Sequence, residues 1–149
     1  MRNFRTLVLS AVAMGLFAAP VFAADLVYQA NGLSAAADPE TGTHVAFQGD
    51  RFQSVIVERS NSSAPELHLE GIDNVVVLDG DATLVYGGDM SDSHMISEGE
   101  FRGQSLTGET KSIELHKNDL VQIPAGTPQW IKPHGHFRYL VFRVPGRKD

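Results

Sequence analysis

His68 and Glu70 are two positions apart in a segment whose composition predicts a β-strand. Because side chains alternate between the two faces of a strand, both would point to the same side of the sheet. An imidazole and a carboxylate on one face can hold a polar ligand, bind a metal ion or move a proton. The spacing therefore permits a binding or catalytic site if that face is the interior of the domain.

Glu100 and Arg102 form a second charged pair, in a polar segment between predicted strands. An arginine near a pocket mouth is suited to hold a carboxylate or a phosphate, because its guanidinium offers parallel donors. The same two residues can instead tie a loop to the body of the domain, which requires no ligand. The sequence favours the structural role and keeps the ligand role of Arg102 as the alternative.

His134 and His136 alternate in a His-Gly-His segment that follows Pro133. Their spacing would let both side chains point one way on a strand and act as ligands. The surrounding proline and glycine favour a turn with two solvated histidines.

The sequence contains no Ser-His-Asp order, phosphate-binding glycine loop or nucleotide fingerprint that would indicate other chemistry.

Short apolar runs separated by Gly, Asp, Asn and Pro recur from His44 onward. No stretch repeats its apolar residues at the spacing of about 3.6 residues that is typical of a helix. This pattern predicts an all-β fold. The predicted strands are residues 44–48, 52–58, 66–70, 72–78, 82–86, 111–116, 120–123, 129–132 and 137–144. The last of them carries Phe137, Tyr139 and Val141 on one face and apolar residues on the other, so it should be a central strand.

The connections between these strands are of two kinds. Asp79-Gly80-Asp81 predicts a tight hairpin, because an Asp-Gly pair tolerates the positive φ angles of such turns. Residues 87–110 are polar, rich in glycine and poor in β-forming residues. That stretch is longer than most connections in compact domains, which predicts either a flap over a pocket or a mobile surface loop.

The N-terminus has the order of charged, apolar and small residues that is typical of a secretory signal peptide. Arg2 and Arg5 precede the apolar residues 7–17, and Pro20 and Ala23 follow. A membrane anchor is the alternative, since the apolar stretch approaches the roughly 20 residues that span a bilayer. The proline and the small residues favour cleavage after Ala23, and hence a periplasmic or secreted protein.

The remaining chain has the length of one domain with one core. We divide the sequence into a signal peptide at 1–23, an irregular segment at 24–43 and a β-barrel domain at 44–149. It has no cysteine, and its net charge of −6 becomes more negative once a signal peptide with two arginines is removed. The charge disfavours nucleic acid and anionic membranes as partners. A small-molecule ligand is expected, with no membrane contact after cleavage.

The most specific motif is residues 118–130, which read Asn-Asp-Leu-Val-Gln-Ile-Pro-Ala-Gly-Thr-Pro-Gln-Trp. It resembles the second conserved motif of the cupin superfamily, in which Gly-Asp, a short strand, Pro-x-Gly and a metal-binding histidine follow at fixed spacing. Asn118 stands where the family has glycine. Asparagine enters the left-handed region at modest cost, so the turn is expected to survive.

Three further segments extend the resemblance over residues 52–144. The first family motif is similar to residues 68–80, which begin with His-Leu-Glu and end in the hairpin glycine. Residues 87–88 (Gly-Gly) and 100–103 (Glu-Phe-Arg-Gly) are similar to elements of small secreted bacterial cupins. The resemblance implies a cupin-type double-stranded β-helix, or jelly-roll barrel, and homodimers are common among such small cupins.

The resemblance also implies a metal site, from which this sequence departs. Cupins typically bind the ion with a His-x-His pair, a carboxylate and a third histidine. This chain retains His68, has Glu70 at the second position and Gln129 at the last, and aligns Asp73 with the carboxylate at a shortened spacing. Such an oxygen-rich set suits Mn, Mg or Ca more than Zn.

Two outcomes follow for this site. In one, His68, Glu70 and Gln129 hold a single divalent ion, with Mn, Fe, Ni and Zn as candidates. In the other, no metal binds and the polar side chains hydrogen-bond to one another in a wet cavity.

Three functions are compatible with the sequence. The favoured one is a binding module whose cavity holds a small polar ligand among five polar side chains: His68, Glu70, Asp73, Gln129 and Arg102. The second is a metal-dependent oxygenase, isomerase or lyase acting on a small organic acid or sugar, with Asp73 assisting proton transfer. The third is a structural or partner-binding barrel, which would have an apolar interior.

Overall fold

The computed structural model describes residues 31–49 and 53–146. The predicted signal peptide, its cleavage site and Phe52 lie outside these residues. The described part contains a short 3-10 helix, Asn31–Ser34, and eleven β-strands. The strands are β1 (Thr43–Gln48), β2 (Gln53–Arg59), β3 (Glu66–His68), β4 (Gly71–Asp79), β5 (Ala82–Ser91), β6 (His94–Ser97), β7 (Glu100–Arg102), β8 (Ser105–Leu115), β9 (Leu120–Ile123), β10 (Gln129–Pro133) and β11 (Phe137–Pro145). Within the described ranges, no helix has the length and hydropathy needed to cross a membrane.

The strands form two antiparallel sheets, in the orders β1-β2-β11-β4-β9 and β6-β7-β3-β10-β5-β8. As the apolar residues on both of its faces predicted, β11 is the central strand of the first sheet, between β2 and β4. In the second sheet β10 lies between β3 and β5. The all-β prediction is confirmed, and successive strands alternate between the two sheets from β2 to β5 and again from β8 to β11, as in a jelly roll.

Apolar side chains from both sheets fill one end of the space between them. Phe137, Leu84, Leu115, Val75 and Val77 are almost fully buried there. Each comes from an inward position of its strand, as the alternation of side chains requires. Burying these groups supplies the main stabilising term of the fold, because the chain has no cysteine and therefore no disulfide.

Two turns match their predictions. Gly80, in the hairpin between β4 and β5, has a φ of 78°, and a Cβ atom there would lie 2.0 Å from the carbonyl oxygen of His136. Glycine is therefore required both by the backbone angle and by the close approach of the segment that contains His136. Asn118 has a φ of 76°, so asparagine does replace the family's glycine in a left-handed conformation.

The stretch predicted as a loop, residues 87–110, is instead largely strand, and that prediction is wrong. It contains the end of β5, all of β6 and β7, and the first half of β8. Gly87 and Gly88 have positive φ angles at a bulge, where the pairing of β5 with β8 shifts register between Gly87 and Asp89. Residues 107–114 of β8 are all exposed. A strand exposed on both faces shows no apolar alternation, which is why the sequence pattern missed it.

A surface ion pair beside the hairpin predicts a pH dependence of stability. Nδ1 of His116 lies 2.8 Å from Oδ1 of Asp81. The hydrogen bond to Asp81, together with nearby acidic charges, raises the pKa of His116. A raised pKa in the folded state stabilises the protein below the ordinary histidine pKa of about 6.5, and this contribution is lost as pH rises through the higher value. We expect the Tm of wild type to exceed that of Asp81→Asn at pH 5.5 and the gap to close above pH 8. A gap that is the same at both pH values would contradict the pairing.

Candidate functional site

Seven polar side chains gather at the other end of the barrel, at inward positions of five strands. They are Glu66 and His68 on β3, Asp73 on β4, Glu100 and Arg102 on β7, Gln129 on β10 and Arg143 on β11. His68, Asp73 and Gln129 expose 5%, 3% and 3% of their surface, which is unusual for such side chains. Buried polar groups are costly unless they are paired, so their contacts determine what the site can do.

Arg143 is at the centre of this polar cluster. Its Nε donates to Oδ1 of Asp73 at 2.6 Å, and its Nη1 donates to Oε1 of Glu100 at 2.5 Å. Its Nη2 lies 2.8 Å from Nε2 of His68 and 3.4 Å from Oδ2 of Asp73. The three nitrogens of one guanidinium therefore connect β11 to β3, β4 and β7.

The carboxylates around Arg143 keep it charged. Burial lowers the pKa of its guanidinium, but the hydrogen bond to Asp73 and the charges of Asp73, Glu100 and Glu66 outweigh burial, so the net shift is upward. A guanidinium can only donate hydrogen bonds. The site therefore contains a permanent cation that belongs to the chain itself.

The contact with Arg143 also fixes the tautomer of His68. Because Nη2 can only donate, Nε2 of His68 must accept and carries no proton. The imidazole proton then resides on Nδ1, which is buried, has no hydrogen-bond partner within the described residues and lies 3.6 Å from Oε1 of Glu100. The oxygens of Glu66 and Asp73 are 3.5 Å from Nε2, which is too far for a good hydrogen bond.

The other members complete the polar cluster. Gln129 donates from Nε2 to Oδ2 of Asp73 at 2.8 Å. Arg102 donates to Glu66. Burial raises the pKa of Glu66, but the charge and the hydrogen bond of Arg102 oppose it, and the net direction is downward. Glu66 is therefore ionised near neutral pH.

The sequence favoured a structural role for Glu100 and Arg102 as a pair, whereas in the structure each of them is paired with another residue. Glu100 pairs with Arg143 of the first sheet, and Arg102 pairs with Glu66 of the neighbouring strand. The two contacts tie β7 to the barrel. Arg102 also lines a cavity between the two sheets, so its predicted position at a pocket is compatible with this arrangement.

The inner cavity, of about 150 Å³, lies between the two sheets. The polar residues that line it are Thr43, Arg59, Glu66, Asp73, Arg102, Gln129, Tyr139 and Arg143. Apolar residues complete its wall: Val55, Val57, Val75, Ile131 and Val141. Burial raises the pKa of Tyr139 to about 12, so its hydroxyl keeps its proton.

Arg59 differs from the other two arginines of the inner cavity. Arg102 and Arg143 are paired with carboxylates, whereas no carboxylate of the described residues lies within ion-pair distance of Arg59. Its Nε is buried without a hydrogen-bond partner within those residues. A buried donor without an acceptor is costly, so this nitrogen is available to an acceptor from outside the chain.

The outer cavity, of about 340 Å³, opens on the other side of Arg143. His68, Glu70, Glu98, Glu100 and Arg143 are among the residues that line it. The predicted cavity residues are thus divided: Asp73, Gln129 and Arg102 line the inner cavity, and His68 and Glu70 line the outer one. The expectation that Glu70 shares a strand with His68 is wrong, because β3 ends at His68 and Glu70 is exposed.

The polar cluster does not fit a metal ion. In residues 31–49 and 53–146, no group of three or more His, Asp or Glu side chains is arranged to hold one. Nε2 of His68 is occupied by Arg143, and both oxygens of Asp73 accept from Arg143 or Gln129. A divalent ion among these atoms would contact a guanidinium of the same sign of charge. The metal set predicted from the resemblance, His68, Glu70 and Gln129, is therefore not assembled here.

His134 and His136 do not form a ligand pair. Nε2 of His134 lies 2.8 Å from the hydroxyl of Thr83, and Nε2 of His136 lies 2.9 Å from Oε1 of Glu58. The hydrogen bond to His136, aided by Arg138, lowers the pKa of Glu58 against the opposing effect of burial. The two histidines have separate surface partners, as the turn interpretation expected.

The sequence reasoning missed Arg143, Arg59 and Glu66. The signal for Arg143 was present, because Phe137, Tyr139 and Val141 were placed on one face and the next inward position is 143. Arg59 follows Val55 and Val57 at the same spacing on β2, one residue beyond the predicted end of that strand. A charged residue that continues an inward apolar series is therefore informative in a barrel.

No protein-family model matches the sequence, and no curated protein matches it. Solved structures do. A Bacillus halodurans protein, BH2720, is 15% identical with a TM-score of 0.58, and the match covers 82% of this chain and 83% of that one. The cupin domain of Cnp3 from Schizosaccharomyces pombe is 13% identical with a TM-score of 0.56, covering 75% and 69%. Hydroquinone 1,2-dioxygenase from Sphingomonas sp. TTNP3, with 4-hydroxybenzoate bound, is 14% identical with a TM-score of 0.55, covering 76% and 70%.

These likenesses establish the fold. The chain has the jelly-roll barrel of the cupin domain and the other proteins it matches, which confirms the barrel implied by residues 118–130. At such low identity the shared fold carries no activity with it. Function must be argued from the polar cluster and the two cavities.

Proposed function

We propose that the protein binds a small organic carboxylate in the inner cavity, without a metal ion. The observation that carries this proposal is Arg59, a guanidinium that lines the inner cavity, has no carboxylate partner in the described chain and leaves Nε buried and unpaired. A carboxylate ligand would supply both the missing charge and the missing acceptor.

The remaining wall of the inner cavity supports the same class of ligand. Its volume of about 150 Å³ is below the usual range of pockets for drug-sized ligands, so it suits a small molecule. Val55, Val57 and Val141 offer an apolar surface beside Arg59. A short hydrocarbon chain or small ring that ends in a carboxylate matches both parts of this wall.

Tyr139 adds a neutral donor to the inner cavity. Because burial raises its pKa to about 12, the hydroxyl is protonated at every physiological pH and does not repel an anion. Gln129 is anchored to Asp73 and lines the same space. The dioxygenase with the same fold was solved with 4-hydroxybenzoate, itself a carboxylate, but the proposal rests on Arg59.

The alternatives account for fewer of these contacts. A purely structural barrel does not need an unpaired interior guanidinium, and a metal-dependent enzyme needs ligand atoms that Arg143 already occupies.

The signal peptide proposed from residues 1–23 would place this binding module in the periplasm or outside the cell. N-terminal sequencing of the exported protein should then begin at Ala24, and an intact Met1 on the exported protein would contradict cleavage.

Binding can be tested by calorimetric titration of short-chain and aromatic carboxylates, each with its neutral amide as the paired ligand. We expect carboxylates to bind and amides not to bind. Arg59→Met keeps most of the side-chain volume and removes the charge, and should weaken carboxylate binding about 10- to 100-fold. Lys132→Met removes a cation that lies 3.9 Å over the outer Trp130 ring, outside the inner cavity, and should leave binding unchanged.

The same variant separates a binding role from a structural one. A buried donor without an acceptor costs stability in the free protein, so Arg59→Met without ligand should have a Tm equal to or above that of wild type. Loss of carboxylate binding together with retained stability would support the proposal. Equal binding by Arg59→Met, or equal binding of the amides, would overturn it.

A further inference from the structure

We propose that the free edge of β8 is a pairing site for a second copy of this chain, so that two barrels join through antiparallel β8 strands. This inference does not depend on the carboxylate proposal. It rests on the position of β8 in the second sheet, on the exposure of its residues and on the order of charges along it.

β8 is the last strand of its sheet, since β5 lies on one side of it and no strand of the described residues lies on the other. It has eleven residues, and residues 107–114 are all exposed. The strands at the other three sheet edges, β1, β6 and β9, have six, four and four residues. A long edge strand presents unpaired N–H and C=O groups, with which a strand of another chain can pair.

The side chains of β8 suit pairing at this edge. The strand contains no proline, which would remove a donor, and Thr107, Thr110 and Ile113 are β-branched. Its one lysine, Lys111, is two positions from Glu109, so the alternation of side chains places both on one face of the sheet. Within the described chain, neither of these two charges has an ion-pair partner. A second chain at this edge could pair both of them.

The charges of β8 select one register for such a pair. In a symmetric antiparallel pair, one residue lies opposite its own copy, and residues at equal distances on its two sides lie opposite each other. Thr110 is the midpoint of Ser105–Leu115, so a pair centred there overlaps along the whole strand. Glu109 of each copy then faces Lys111 of the other. A pair centred on Glu109 or on Lys111 would instead bring like charges together, which is unfavourable.

The test is a charge exchange, followed by sedimentation equilibrium over a range of protein concentrations. Wild type should dimerise reversibly, because an edge pair buries less surface than a permanent interface. Glu109→Lys or Lys111→Glu alone places like charges opposite each other and should weaken the dimer about 10-fold. Glu98→Lys, the same change of charge in the exposed turn between β6 and β7, should leave dimerisation as in wild type.

Mixing the two single variants is the sharper form of this test. In the proposed register, Glu109→Lys has two positive charges where Lys111→Glu has two negative ones. The mixture should therefore form dimers that contain one chain of each kind, with an affinity near that of wild type. Both variants change exposed side chains, so their Tm values should stay close to that of wild type.

Cross-linking tests the register independently. Opposite residues of an antiparallel pair have Cα atoms about 4.5–5.5 Å apart, which a disulfide can span. The chain has no cysteine, so Thr110→Cys introduces a single thiol, and a mild added oxidant should rapidly link two such chains. Ser112→Cys lies on the same exposed strand but would face Gly108 of the second copy, and should cross-link far more slowly.

Three results would overturn the proposal. A wild type that stays monomeric at high concentration would mean that Lys111 and the bulge at Gly108 protect the edge. A dimer that neither charge change weakens would mean that the chains meet elsewhere. Equal cross-linking of Thr110→Cys and Ser112→Cys would mean that the strands have no fixed register.

Discussion

Replacement of Asp73 by alanine is expected to lower the free energy of unfolding by about 3–5 kcal/mol, the range found when one member of a buried ion pair is removed. Asp73 is 3% exposed and accepts from Arg143 at 2.6 Å and from Gln129 at 2.8 Å. The change would leave a partly buried guanidinium with Glu100 as its one remaining carboxylate partner among the described residues, and would leave the amide of Gln129 without its acceptor.

Two variants make this loss interpretable when unfolding is followed in urea. Asp73→Asn keeps the shape of the side chain and removes its charge, so it should lie between alanine and wild type. Asp79→Ala removes a carboxylate that is 55% exposed and pairs with Lys117, and should change stability by less than about 0.5 kcal/mol. A cost for Asp73→Ala as small as that for Asp79→Ala would mean that the polar cluster does not hold the sheets together.

The cost of losing Asp73 does not mean that the polar cluster stabilises the fold relative to an apolar core. Charges taken out of water lose hydration that their mutual attraction only partly returns. The contacts of Arg143 with Asp73 and Glu100 instead determine which strands are connected and where β7 lies. The proposed carboxylate site depends on this geometric definition, because Arg59 would have to be presented to the ligand at a fixed position.

The sequence was sufficient to predict the barrel because its turns and its central strand depend on the preferences of a few neighbouring residues. The hairpin at Gly80 and the left-handed turn at Asn118 follow from backbone preferences. The central position of β11 follows from apolar residues on both of its faces. These features are decided by a few neighbouring residues, which a single sequence displays.

The polar cluster was predicted only in part because it depends on pairings across the barrel. His68, Asp73, Gln129 and Arg102 were identified from their motif positions, but the partner that organises them, Arg143, is 70 residues from Asp73 along the chain. No local pattern encodes that pairing. Glu70 was misplaced because β3 ends two residues early, and in a strand the end decides which side chains still face inward.

Replacement of Phe137 by alanine should have an effect as large as that of Asp73, at the opposite end of the barrel. Phe137 is fully buried, and its ring centroid is 5.3 Å from that of Tyr139. Truncating a buried phenylalanine costs about 3–5 kcal/mol, because the transfer free energy of the ring is lost and a cavity remains. Urea unfolding should show this loss with an unchanged m-value, whereas Leu120→Ala, at a side chain that is 67% exposed, should be nearly neutral.

The position of Phe137 makes this variant a test of how the two ends of the barrel are connected. Tyr139 packs on Phe137 and also lines the inner cavity, so a void beneath its ring would loosen one wall of that cavity. We therefore expect Phe137→Ala to bind carboxylates more weakly at a temperature where it is still folded, and Phe137→Leu, which leaves a smaller void, to be affected less in both stability and affinity. If Phe137→Ala loses stability but binds as wild type does, the packing below Tyr139 stabilises the fold and has no part in shaping the cavity.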